Sequence, residues 1–203
     1  MKRGYFISVL LLISGYIFAQ PTFNFGVKAG INSSKITESS IEFSSEPIIK
    51  MHVGAYARYG GFMFIQPEAY FSAKGSKMPS RDGTDTKFNL NDVDIPVLLG
   101  IRLINKKNIK LRLLTGPVFC SIVSKSIDYE VRLYSPFGIE NFKDSYMGYQ
   151  YGASVEFGKL SLDARMENGI DKVYEPSGAS YRTSGFLNSK DNTFMLTFGY
   201  RFL

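Results

Sequence analysis

The sequence holds no tryptophan, one cysteine (Cys120) and one histidine (His52). A lone thiol excludes an internal disulfide, and no Cys/His spacing of a metal motif can be assembled. No phosphate-binding glycine loop, zinc helix or nucleophile elbow occurs. Charged residues make up only 21%, and the net charge of +6 is scattered. Without a basic stripe interleaved with aromatics, nothing points to a nucleic acid partner. The long apolar run, Tyr5 to Phe18, falls short of the ~20 residues that a spanning helix needs. What the chain does have is Phe 17, Tyr 13 and Gly 19 in 203 residues, with 44% hydrophobic residues. That balance favours strands over helices and suits one folded domain.

The first residues read as an address. Met1-Lys2-Arg3 is basic, Tyr5 to Phe18 is apolar, and Ala19-Gln20 precedes Pro21. This is the layout of a cleavable secretory signal over residues 1–19, cut between Ala19 and Gln20. Residues 20–203 then form the mature domain. Losing Lys2 and Arg3 would lower the charge from +6 to +4. No cysteine follows the apolar run, so a lipoprotein anchor is not indicated.

The remainder alternates with a period of two, the signature of strands with unlike faces. The clearest case is Thr193 to Phe202, where Phe194, Leu196, Phe198, Tyr200 and Phe202 share one face. Seven further runs follow the rule: Phe23 to Asn32, Met51 to Tyr59, Met63 to Lys74, Asp92 to Arg102, Lys110 to Val123, Met147 to Phe157 and Leu160 to Asn168. Strict parity requires a three-residue turn or a bulge after Tyr59, whereas Gly158-Lys159 makes a two-residue turn. Connections alternate long and short, with long loops over Ser33–Pro47, Gly75–Lys87, Ser124–Tyr146 and Gly169–Asp191. In an up-and-down sheet all long loops then lie at one end. The expected fold is all-β: an eight-stranded antiparallel transmembrane barrel with four long external loops and three short periplasmic turns.

Alternation alone does not say which face is outside, because a soluble lipocalin-type barrel turns its apolar face inward. Three features favour a polar interior. The polar face is rich in glycine, as a narrow lumen requires. Apolar-face aromatics gather at strand ends, as membrane-interface girdles do. The polar face also carries both signs in near balance, as enclosed charge demands. Its cations are Lys28, Arg58, Lys74, Arg102, Arg112, Arg165 and Arg201; its anions are Glu68, Asp92, Asp94, Glu156, Asp163 and Glu167. Against the reading stand Pro67, Pro96 and Pro117, which interrupt spanning strands; they are expected at bulges or near the membrane rim.

Four segments resemble the outer-membrane β-barrel family of Bacteroidetes-type bacteria known as PorT-like: Gly26-Val27-Lys28-Ala29-Gly30-Ile31-Asn32, Asp94-Ile95-Pro96-Val97-Leu98-Leu99, Gly152-Ala153-Ser154-Val155-Glu156 and Gly199-Tyr200-Arg201-Phe202. Departures from the family pattern are Gly100 in place of a lysine, Met166 in place of a tyrosine, and the extra residue Leu203. The resemblance implies an eight-stranded membrane barrel; the family's namesake serves protein secretion.

Chemistry is sparse. His52 could act as a general base with Asp82 or Asp85, but a polar filler of the lumen is the simpler reading. Asp92 and Asp94 could hold a cation, though interior arginines are the nearer partners. Asp82-Gly83-Thr84-Asp85 lacks the further ligands of a calcium loop. No catalytic residue, metal or cofactor is assigned. The expected function is that of an integral outer-membrane barrel, exported by its signal, with a structural or interaction role through its external loops and no wide pore. Outer-membrane lipid is one partner, and a protein bound at the loops or the periplasmic face a second. The alternatives are an accessory of secretion or envelope assembly and a small barrel enzyme acting on lipid or peptide.

Overall fold

The computed structural model describes residues 22–37, 46–78, 86–129, 144–171 and 190–203. Residues 1–19, the Ala19-Gln20 junction, Asp82 and Asp85 lie outside them. Eight strands close into one antiparallel barrel in chain order. They are β1 (Thr22–Thr37), β2 (Glu46–Gly60), β3 (Met63–Met78), β4 (Thr86–Asn105), β5 (Ile109–Tyr129), β6 (Ser145–Phe157), β7 (Leu160–Gly169) and β8 (Lys190–Arg201). The seam is continuous from Gly26↔Arg201 to Thr37↔Lys190, so neither terminal strand presents an unpaired edge over that length.

Alternation sets the wall. Along β6 and β7, successive residues switch between exposed and buried. The outward set is apolar: Val27, Val97 and Phe198 are 42%, 39% and 66% exposed. The inward set is polar: Lys28 and Asp94 are buried, and Arg201 is half-buried at one mouth. This inverts a water-soluble core. It is stable only where apolar solvent surrounds the barrel, since burying charge without apolar surroundings outside would gain nothing. Outward aromatics cluster toward strand ends, with Phe23 opposite Tyr59 and Phe202 stacked on Phe25 at 5.8 Å.

The turn after Tyr59 spans three residues. Gly60 pairs with Phe64, its φ of 137° excludes most side chains, and Gly61 N donates to Met63 O at 3.0 Å. Gly158, with φ 60°, opens the two-residue turn between Phe157 and Leu160.

Two features depart from the sequence reading. First, strands run beyond the alternating segments at the long-loop end: β1 continues to Thr37, β3 to Met78 and β5 to Tyr129. Backbone pairing persists there although the two-residue period of the sequence fades. Second, the prolines sit at no bulge. Register shifts occur at Pro47/His52, Asn91/Asp92 and Arg102/Ile104 instead. At each of the three prolines the register is kept and the ladder skips two pairs. In β2–β3 the pairing passes from Tyr56↔Glu68 to Tyr59↔Ile65. In β3–β4 it passes from Pro67↔Val97 to Tyr70↔Asp94, and in β4–β5 from Pro96↔Val118 to Leu99↔Thr115. Each proline lacks its N–H toward the preceding strand and stays paired with the following one.

Candidate functional site

Among the described residues, buried polar and charged side chains concentrate in the lumen. Its width is set by close-packed glycines. A Cβ on Gly152 would meet the Ala164 backbone carbonyl, and one on Gly100 the Phe64 ring. The remaining space holds three tiers of charge along the barrel axis.

The middle tier is balanced. Lys28 Nζ lies 2.7 Å from Glu68 Oε1 and 2.6 Å from Asp163 Oδ2. Arg165 grips Glu68 with both terminal nitrogens, at 2.6 and 2.9 Å, and reaches Asp163 Oδ2 at 2.7 Å. Tyr70 Oη donates to Glu68 Oε2 at 2.5 Å, and Gln66 Nε2 donates to Glu68 Oε1. Two cations thus meet two carboxylates with their hydrogen bonds largely satisfied, the condition under which buried charge is tolerated.

Toward the long loops the sign is negative. Lys74 Nζ lies 2.6 Å from Glu167 Oε1, 3.3 Å from Asp94 Oδ2 and 3.5 Å from Asp92 Oδ2. Tyr146 Oη accepts from Lys74 at 2.8 Å and donates to Asp92 Oδ2 at 3.1 Å. Ligand atoms of Asp94, Cys120 and Glu167 lie within 4.8 Å of one another, but the Lys74 ammonium already serves that cluster as its cation. Cys120 is fully buried, with Sγ 3.9 Å from Lys74 Nζ.

Toward the short turns the sign reverses. Glu156 takes Arg112 at 2.7 Å, Arg58 and Lys110 each at 3.2 Å, and Arg201 at 3.3 Å. Arg102 stands directly opposite Arg112 on the neighbouring strand. The Arg58 guanidinium lies 5.1 Å from the Tyr56 ring and 5.3 Å from the Phe64 ring, in cation–π contact with each. The near balance of charge over the whole lumen therefore conceals a gradient along the axis.

Three of these contacts cross the full lumen. Arg58 (β2) to Glu156 (β6), Glu68 (β3) to Arg165 (β7), and Lys74 (β3) to Glu167 (β7) each join strands four apart in a ring of eight. An apolar cluster of Phe64, Leu98 and Leu114 fills the β3–β5 side. His52 Nε2 lies 2.9 Å from Thr197 Oγ1 and meets Tyr70 edge-on. No carboxylate hydrogen-bonds the His52 ring among the described residues.

Sequence parity set the inward face but missed Tyr146. Sequence spacing puts that residue at the end of the long loop Ser124–Tyr146, whereas it belongs to β6, buried against Lys74.

A family model described as an outer membrane protein beta-barrel domain matches residues 18–175. No curated protein matches the chain. Among solved structures, OprG of Pseudomonas aeruginosa is 12% identical, with 90% of this chain and 95% of that one covered at a TM-score of 0.50. Neisserial surface protein A is 14% identical, with 88% and 97% covered at 0.48. Ail of Yersinia pestis, in complex with the heparin analogue sucrose octasulfate, is 15% identical, with 89% and 99% covered at 0.45.

Proposed function

The chain belongs to the outer membrane protein beta-barrel domain family, and from that premise we propose that it acts through its external loops, as a surface-interaction or structural protein without an open pore. The observation that carries this reading is the set of charge struts across the lumen. A conducting path would have to break buried ion pairs at three successive levels, each costly to leave unpaired. Planar-bilayer recordings test it. The barrel should give no porin-sized conductance steps, and regular steps of that size would refute the reading.

Within the family, the four matching segments support a place in the PorT-like group of Bacteroidetes-type bacteria. Residues 1–19 serve as the cleaved export signal and residues 20–203 as the mature barrel; a mature N-terminus other than Gln20 would correct this. The interior charges hold the wall in shape. No catalysis is proposed: His52 is buried, its Nε2 is taken by Thr197, and no carboxylate hydrogen-bonds its ring among the described residues. The partner is a protein engaged outside the membrane; replacing the long loops by short turns should abolish its co-purification while leaving a folded barrel.

A further inference from the structure

We infer that the periplasmic mouth of the lumen is a binding site for a phosphate-class oxyanion. Four cations, Arg58, Lys110, Arg112 and Arg201, converge there on one carboxylate, Glu156, and a fifth, Arg102, stands beside them opposite Arg112. Four of them already share its two oxygens. Arg102 is left out and faces Arg112 across the strand pair. Like charges directly opposite one another destabilise a sheet, and a surplus of buried positive charge demands a counter-ion.

Unused donors show where the counter-ion would sit. Arg112 is 1% exposed, yet its Nε and Nη1 have no hydrogen-bond partner, and neither does Arg102 Nε. A buried guanidinium with idle N–H groups is costly by itself and well made for the oxygens of a phosphate. The cluster reaches the rim, where the side chains of Lys110 and Arg201 are 22% and 21% exposed. The opposite mouth has the reverse charge and would repel the same ligand. A phosphate there would neutralise part of the excess, bridge Arg102 and Arg112, and tie the β4 wall to the β5 wall.

The oxygens can come from free phosphate or from the headgroup of a phospholipid in the inner leaflet. The test uses the mature chain folded in a nonionic detergent. The unfolding midpoint is followed while inorganic phosphate, or phosphatidylglycerol, is added against a sodium chloride control of equal ionic strength, because generic screening acts alike in both. A saturable rise with phosphate supports a free oxyanion, and a rise with the lipid alone supports a headgroup. No rise above the chloride control with either overturns the proposal. Arg102→Gln separates binding from mere structure. It should raise the midpoint without ligand, by removing the like-charge pair, and weaken phosphate binding about tenfold. Glu156→Gln should tighten binding, since it removes the competing carboxylate. An Arg102→Gln barrel that is less stable without ligand and unchanged in its phosphate response would also overturn it.

Discussion

Glu68→Gln is the most direct probe of how the lumen holds the wall together. The Glu68 carboxylate accepts from Lys28 at 2.7 Å, from Arg165 at 2.6 and 2.9 Å, from Tyr70 at 2.5 Å and from Gln66. Neutralising it leaves Lys28 and Arg165 facing Asp163 alone, so one buried positive charge has no counterpart. Removing one partner of such a buried pair costs about 3–5 kcal/mol. The variant should therefore unfold at markedly lower denaturant, as read by circular dichroism and by the mobility difference between unboiled and boiled samples. Combining Glu68→Gln with Arg165→Gln should recover most of the loss, because the Lys28–Asp163 pair, at 2.6 Å, would stand balanced. A single variant within about 1 kcal/mol of the parent, or a double variant as unstable as the sum of its singles, would refute the reasoning.

Further tests concern the wall and its rim. Val97→Lys, on the lipid face, should cost about 2–4 kcal/mol, whereas Leu160→Lys, at a turn, should cost about 0–1 kcal/mol; equal losses would contradict a membrane around the barrel. Gly100→Val should destabilise by about 1–3 kcal/mol. Phe64→Ala should relieve it, because the obstruction is a side chain, while Gly152→Val meets backbone and should find no such relief. At the long-loop end, a hydrogen bond and the charge of Lys125, 2.8 Å away, hold the Asp144 carboxyl below the usual carboxylate range. A depressed folded value stabilises above the unfolded value and is lost as pH falls through the folded one. Protection of the Ile122 amide, which bonds Asp144 O at 2.8 Å, should therefore fall in acid once the slower intrinsic exchange is divided out. Lys125→Gln should remove that pH dependence.

The barrel was legible because two environments, lipid and lumen, meet every strand, and alternation records both. Phe194, Leu196 and Phe198 read as one face because lipid demands it along the whole span. Alternation failed where large apolar residues stop alternating with polar ones: Ser33 to Thr37 looked like loop and belongs to β1, with Ser34 buried against Thr193. The tiers were not legible, because their partners are distant in sequence. Lys28 and Asp163 are 135 residues apart and Arg165 and Glu68 are 97 apart, so parity placed them on the inner face without saying who meets whom. The gradient of charge needed the register of every strand pair. The bulges expected at the prolines are absent, and the skipped pairs found in their place leave no trace in spacing.

The stepped gaps beside Pro67, Pro96 and Pro117 mark one panel of the cylinder that is fastened more loosely than the rest. Behind it stand Phe64, Leu98 and Leu114, which slide over one another more readily than ions let go. When such a barrel breathes, it should do so along this diagonal, while the Lys28–Asp163 pair keeps the β1–β7 side in shape.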